Sequence, residues 1–462
     1  MAVVLAATGV VTLTAARGSG VLYAIKQNLL ETPVRQPPLP VDVIRDYDPI
    51  DPRLGFTHTV QDNATGTRFT CIEFGPDGRL WATDVAGRLY RFPVSEDGTL
   101  GEPEVRTTII DHAGGPRLII GFAFSDDGSE IYATSSYATM LDAPDFSGKV
   151  IRLHGPDFAL VETLVIGLPR SVGDHATNQP EFGPDGALYI PQASNTATGG
   201  TDETWGYRKE HTLSATILRL DLDKLADHEL PLDVTTLHPG HGYDPHAPDA
   251  PLTIYGHGIR LVYDMEWVDL PGRGWTLFAP TNGSSPGGTL PADPVSGFPG
   301  KIESPYNEHD WLHRVEPGMY HGHPNPAYGT YVLNGGNPTD GPDLWEVPDY
   351  PVGTQPDPNY QPAILDFGEH ESSNGVITYR AASDSFTDRT LDGTLIVCRY
   401  SSSSDLVSVR LTDDGDVAEM IEGIPGLIGM GDPLDVCQDP KTGNLYVADF
   451  GLEHIALLVP RR

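Results

Sequence analysis

Apolar residues recur in short strand-like runs along most of the chain, and each run ends at a cluster of turn-forming residues. In "FGPDGRLWATDVAGRLYRFPV" (74–94) an apolar strand enters a Pro-Asp-Gly turn, a second leaves it and a third follows. The same plan returns in "FSDDGSEIYATSS" (124–136), "FGPDGALYIPQAS" (182–194) and "QDPKTGNLYVADF" (438–450). "LDGTLIVCRYSSSSDLVSVRL" (391–411) is a fifth copy, and "MEWVDLPGRGWTLFAPTNG" (265–283) a sixth with a longer turn. Self-similarity at a period of roughly 50 residues points to a propeller or a solenoid. Each copy supplies one antiparallel sheet that cannot bury both faces alone, so six of them predict an all-β, six-bladed β-propeller. Closure follows if "FTHTVQD" (56–62) joins the last blade beside "EHIALLVP" (453–460). A pair of β-sandwich domains is the competing architecture, but turn-and-strand units spread over nearly the whole chain favour the propeller.

The plan is interrupted by long loops at 194–215, 236–250, 283–330 and 335–360, rich in His, Tyr, Trp and Asn. In a propeller the loops of one face gather around the central channel, and side chains of these types suit a carbohydrate or another polar ring. Ahead of the repeats, "MAVVLAATGVVTLTA" is apolar, lacks a basic start and is shorter than the roughly 20 residues that span a bilayer. It reads as an export signal or signal anchor, and "ETPVRQPPLPVDV" as a Pro-rich linker. Residues 1–40 are therefore expected to be signal and linker, and 41–462 a single propeller domain that works outside the cytoplasm. A buried amphipathic N-terminal helix is the alternative for the first segment.

Composition sharpens this picture at three points. High glycine (51) and proline (42) beside 39% hydrophobic residues describe a folded, turn-rich protein rather than a disordered one. A formal charge of -35, with six lysines among 29 basic residues, argues against nucleic acid, which requires a basic face. The same excess fits a protein kept soluble at high salt or an acidic secreted protein, and composition does not separate the two. Cys71, Cys398 and Cys437 are an odd number without metal-type spacing, so no disulfide framework is evident, although one pair could form.

Several of the 16 histidines stand at strand starts or in the insertions: His112, His175, His241, His257, His321, His323 and His370. No HExxH or compact ligand set appears, and the two side chains of "HGH" (321–323) diverge if extended. Strand starts in several blades would bring such residues to one channel. His175, in "DHATN" ahead of a blade strand, is what the other copies lack. A neutral imidazole there can take a proton from an alcohol, with Asp174 to orient it or merely to cap a turn. Arg260, in "YGHGIRLVYDMEW", would stabilise a developing oxyanion or grip a carboxylate, unless it pairs with Asp264 or Glu266. Asn282 and Gly283 close the fourth blade's strand in "PTNGSSPGG", where backbone carbonyls can serve calcium, as ordinary turns can also look.

Over about residues 60–460 these segments resemble the glucose/sorbosone dehydrogenase family, soluble quinoprotein sugar dehydrogenases that use pyrroloquinoline quinone. The resemblance rests on "DHATNQPEFGPDGALYI", "YGHGIRLVYDMEW", "DWLHRVEPGMYHGHPNP", "SSNGVITY", "GTLIVCRYSSSSDLVSVRL" and "GDPLDVCQDPKTGNLYVADFG", in the family's order. It implies that His175 takes the sugar hydroxyl proton, that Arg260 polarises the reacting oxygen, and that Asn282 and Gly283 hold calcium by their carbonyls. It also implies that Arg399 and Asp432 stand among the residues around the quinone. The chain departs from the pattern at Leu261, where an Asn is common, and at His323, which takes a Trp position. "GMGDPLDV" (429–436) lacks the arginines that usually grip the cofactor's carboxylates, which leaves Arg117, Arg170, Arg260 and Arg399 as candidate cations. Two further readings stay open. One is a propeller lyase or hydrolase for an acidic carbohydrate, with His175 and Tyr263 or Tyr320 moving protons; the other is a carbohydrate-binding propeller without catalysis.

Overall fold

The computed structural model describes residues 50–238, 241–284, 288–301, 308–338 and 350–461. The expected signal and linker (1–40) lie outside the described residues, as do parts of the insertions at 283–330 and 335–360. No described helix is long and apolar enough to cross a membrane.

Six sheets form six blades. Blade 1 comprises Phe69–Phe74, Leu80–Asp84, Leu89–Phe92 and Glu104–Arg106; blade 2 is built on Phe122–Phe124, Ile131–Tyr137, Gly148–His154 and Leu160–Leu168. Blade 3 comprises Glu181–Phe182, Leu188–Gln192, Thr216–Leu220 and Leu252–His257; blade 4 comprises Glu266–Leu270, Gly274–Thr281, His309–Val315 and Leu365–Glu369. Blade 5 comprises Ser373–Thr378, Leu395–Arg399, Asp405–Leu411 and Val417–Ile421. Blade 6 takes Pro433–Gln438, Leu445–Asp449 and His454–Pro460 from the end of the chain and Phe56–Thr65 from its beginning. The expected closure is thus present, antiparallel, with Phe56 opposite Pro460 and Val60 opposite Ala456.

The hairpin turns repeat because their chemistry repeats. In blades 1 and 3 the Gly-Pro-Asp-Gly turn is closed by Gly75 N to Arg79 O (2.9 Å) and Gly183 N to Ala187 O (2.9 Å). Gly78 and Gly186 adopt left-handed φ of 71° and 75°, which favours glycine. The turn Asp accepts from an aromatic side chain four residues on: Trp81 Nε1 to Asp77 (3.1 Å) and Tyr189 OH to Asp185 (3.3 Å).

Blade faces are buried against neighbouring blades rather than against a second layer. Trp81 of blade 1 packs with Ile131 and Leu153 of blade 2; Tyr132 and Val150 of blade 2 pack with Leu188 and Leu218 of blade 3. Tyr189 and Ile217 of blade 3 meet Trp267 and Leu277 of blade 4, and Phe278 and Leu312 of blade 4 meet Val397 and Val407 of blade 5. Ile396 and Leu406 of blade 5 then meet Val447 of blade 6, whose Tyr446 and Leu457 return to Phe69 and Leu80 of blade 1. This circular burial explains why many strands are apolar on both faces. Cys71, Cys398 and Cys437 are buried thiols without disulfides.

Candidate active site

Blade 3 and the connection into blade 4 build the site. His175 lies on the segment before the inner strand of blade 3 and is 3% exposed. Its backbone is fixed from below, because His175 O accepts from Arg170 Nη1 (2.7 Å) and Ser171 Oγ (3.1 Å), while His175 N donates to Ser171 Oγ (3.1 Å). The ring is fixed from the other side. Nδ1 faces the Ser194 carbonyl at 2.9 Å and Ser194 Oγ at 3.0 Å. Ser194 Oγ donates its own proton to Thr196 O (2.8 Å), so both oxygens present lone pairs to Nδ1. Nδ1 must therefore carry the hydrogen and Nε2 the lone pair. Trp205, from the 194–215 insertion, packs edge-on against the ring at 4.5 Å. Asp174 is exposed, and it is Ser194 rather than Asp174 that meets Nδ1.

Arg260 is the partner across the site. Its backbone carbonyl accepts from Ser194 N (2.8 Å), which ties it to the loop that orients His175. Its guanidinium turns to backbone oxygens: Nε to Ala197 O (3.0 Å) and Nη1 to Gly283 O (2.9 Å) and Asn282 O (3.3 Å), with Cζ 5.8 Å from the Trp205 ring. It does not pair with Asp264 or Glu266, which accept from backbone N–H groups of Val376 and Thr378. Burial first, and then the Arg260 charge, hold His175 well below the ordinary histidine range, so the imidazole is neutral and basic at Nε2 near neutral pH. His370, half-buried, is lowered by burial and the same charge.

Beneath the mouth the channel is plugged. Leu118, Ile120, Ala176, Tyr263 and Leu434 form an apolar cluster, and Tyr263 OH crosses the axis to donate to Thr70 O. Glu73, Glu181 and Glu266, on the first strands of blades 1, 3 and 4, are raised by burial first, and Glu73 and Glu181 then by neighbouring carboxylates that include Glu266.

The loop holding Ser194 is braced by a buried carboxylate absent from the sequence expectations. Glu210 accepts from Asn195 N (2.9 Å), Thr196 N (2.9 Å), Thr196 Oγ1 (2.6 Å), Ser214 Oγ and His323 Nε2 (3.0 Å). Burial alone would raise its pKa, but hydrogen bonds from His323 and the backbone outweigh it and leave the carboxyl lowered. His323, in the position where the resembling family has Trp, thus acts as Glu210's partner.

The histidines do not all converge. His175 and His370 lie near Arg260, whereas His257, His313 and His321 form a separate buried group with Tyr320 and Tyr328. His321 and His323 do diverge, the first towards His313 and the second towards Glu210. His112 bonds Thr163 at an exposed position, and the side chain of His241 lies outside the described part. Among the described residues no group of three or more His, Cys, Asp or Glu is placed to hold a metal.

The oxygens of Asn282 and Gly283 fit a hard cation, since two carbonyls converge on one point and Asn282 Oδ1 is buried without a partner. The cations do not fit a tricarboxylate quinone. Arg399 is buried and held by Asp405 (2.8 Å, twice) and Glu422 (2.6 Å), rather than offered to the channel. Arg170 turns its terminal nitrogens to carbonyls of the 171–175 loop and Thr139, and Arg117 bonds Ser135 and Ser147. In the 429–436 segment Asp432 adds a carboxylate, and its N–H donates to Asp449 (3.0 Å). A cavity of about 950 Å³ lies beside the mouth, lined by Thr201, Glu203, Tyr207, Lys209, Thr289 and Lys301 among others. His175 and Arg260 do not line it; both pack against the Trp205 ring, and the Arg260 charge acts on the imidazole.

No family model matches the chain, and no curated protein sequence does so. Solved structures match over most of the chain. A putative oxidoreductase (glucose dehydrogenase) from Thermus thermophilus is 19% identical, covering 88% of this chain and 100% of that one with a TM-score of 0.53. A Trichoderma reesei carbohydrate-active enzyme of family AA12, in a calcium structure, is 17% identical over 87% and 95%, with a TM-score of 0.56. Aldose sugar dehydrogenase from Streptomyces coelicolor, in its PQQ-bound form, is 18% identical over 87% and 98%, with a TM-score of 0.51. The chain shares the six-bladed fold of these sugar-dehydrogenase-like propellers.

Proposed function

We propose that the protein is an oxidoreductase of the sugar dehydrogenase kind, which oxidises a hydroxyl of a sugar or related alcohol at the mouth of the channel, the hydroxyl proton passing to His175 and the carbon-bound hydrogen, as hydride, to a two-electron acceptor of the quinone or dye class supplied from outside the chain. The observation that carries this reading is the imidazole of His175, buried, neutral and held with Nε2 as the acceptor beside Arg260. Oxidation of an alcohol requires a base for the hydroxyl proton, and a pre-oriented neutral histidine supplies it without first losing a proton of its own. Arg260 steadies the oxygen as charge develops on it. Arg170 and Ser171 hold the backbone of His175, while Glu210 and His323 hold the loop that orients its ring. Calcium would be held by the carbonyls of Asn282 and Gly283. Pyrroloquinoline quinone does not fit Arg399, whose guanidinium is held by Asp405 and Glu422, or Arg170, whose terminal nitrogens are held by backbone carbonyls. In this reading residues 41–462 act as one domain, and the apolar first segment takes it out of the cytoplasm.

A second reading, proton transfer in a lyase or hydrolase acting on an acidic carbohydrate, is favoured by one observation. A neutral base beside a guanidinium needs no electron acceptor. Its proposed tyrosines do not help it, since Tyr263 OH donates to Thr70 O and Tyr320 OH to Val332 O.

The test is a sugar and polyol panel followed by dye reduction, with calcium and with or without added pyrroloquinoline quinone. Dye reduction lost in His175→Ala supports the first reading. A rise in ultraviolet absorbance from an unsaturated uronate, without dye reduction, supports the second, and neither signal on any substrate defeats both.

A further inference from the structure

Carbonyl dipoles aimed at one point in a buried site need positive charge or donors to offset them. In blade 4 that point is filled by the protein itself. Arg260 Nη1 sits 2.9 Å from Gly283 O and 3.3 Å from Asn282 O, and its Nε sits 3.0 Å from Ala197 O. The cradle is built rather than incidental. Asp310, fully buried, accepts from Gly283 N (2.8 Å) and Ser373 N (3.2 Å), which fixes the peptide unit whose carbonyl meets the guanidinium. Gly283 has no room for a side chain, since a Cβ would lie 2.3 Å from His309 O. Asn282 Oδ1 is buried and unpartnered, which leaves a further oxygen at the same residue with unmet bonding capacity.

We propose that Arg260 is the resident cation of this carbonyl cradle, and that calcium enters only by displacing the guanidinium towards the channel mouth. Calcium takes oxygen ligands at about 2.3–2.6 Å, so an ion bonded to both carbonyls would occupy the space that Nη1 now fills. Two cations at that separation also repel. The cradle therefore holds one or the other, and calcium binding doubles as a switch for the position of Arg260. This inference goes beyond the oxidation reading and holds whichever reaction the mouth supports.

The probe is terbium(III), which takes calcium's oxygen ligands and emits when excited through a nearby tryptophan. The Trp205 ring, 5.8 Å from Arg260 Cζ, provides that antenna. Full-length wild type, Arg260→Ala and Arg260→Lys are titrated with terbium in about 150 mM salt, which screens the acidic surface, and calcium is then used to displace it. Trp205→Phe in each background identifies the signal from the cradle, because binding to the acidic surface does not depend on Trp205. The expected result is Trp205-dependent binding at least tenfold tighter in Arg260→Ala than in wild type, with Arg260→Lys between them. Equal affinity in wild type and both variants, or loss of the signal in folded Arg260→Ala, would overturn the proposal. Should Arg260→Ala fail to give a thermal unfolding transition, Arg260→Lys alone decides, since a lysine that leaves terbium affinity unchanged contradicts displacement.

Discussion

Two oxygens that can only accept meet Nδ1 of His175, and the proposed role of Nε2 as the base rests on this local fact. His175→Ala should lower turnover by about 100-fold or more, the usual contribution of a positioned base, with the circular dichroism spectrum unchanged. Because burial and Arg260 depress the imidazole, the acid limb of the pH–rate profile should fall below pH 6.5, histidine's ordinary value, and should move upward in Arg260→Ala. Glu210 makes a separate prediction. Removing its carboxylate in Glu210→Ala strands His323 and the amides of Asn195 and Thr196, and should cost about 3 kcal/mol or more in urea unfolding. His175 was visible in the sequence because "DHATN" broke a repeated plan. Trp205, Ser194 and Glu210 were not, since each matters through a contact between insertion and blade that has no spacing rule. Arg399 misled for the opposite reason. Its strand position could be read, but the Asp405 six residues on and the Glu422 beyond it neutralise its charge.

At the scale of elements, the glycine-containing turns and the apolar runs beside them were sufficient to locate all six blades, because turn closure and strand burial are local in sequence. The closing strand was legible too, since the last blade otherwise lacked its fourth member. That strand gives a contrast within one element. Phe56, 2% exposed and edge-on to Tyr379 at 6.2 Å, should cost about 3–5 kcal/mol when replaced by Ala, as core aromatics do. Val60, 42% exposed on the same strand, should cost within about 0.5 kcal/mol. Denaturant midpoints of the two variants check whether the seam is held by its buried face or by strand pairing alone. The insertions were legible only as insertions. Their composition pointed to polar ligands, but which of them touched His175 depended on the circular arrangement of the blades.

The whole molecule gathers carboxyl groups along its axis as well as on its surface, and burial disfavours charge on the axial ones. Burial raises Glu73 to about 8, helped by Asp435 and Glu266, and raises Asp435 to about 7. A carboxyl whose folded value lies above its ordinary one binds its proton more tightly in the folded state. Its contribution is therefore present at low pH and is lost as pH rises from about 4.5 through about 8. Glu73→Gln should accordingly gain stability over wild type as pH rises from 5 to 8, by up to about 4 kcal/mol, read from thermal melts at the two values. The formal charge of -35 adds self-repulsion, so wild-type melting temperature should also rise with salt. These features set how stability depends on pH and salt, and the proposed reaction is assigned to His175 and Arg260 instead. The most direct test of that assignment is the rate of sugar-dependent dye reduction by wild type and by His175→Ala, measured side by side on the best substrate of the panel. A loss of about 100-fold with the fold intact is the predicted result; equal rates in the two proteins would contradict it.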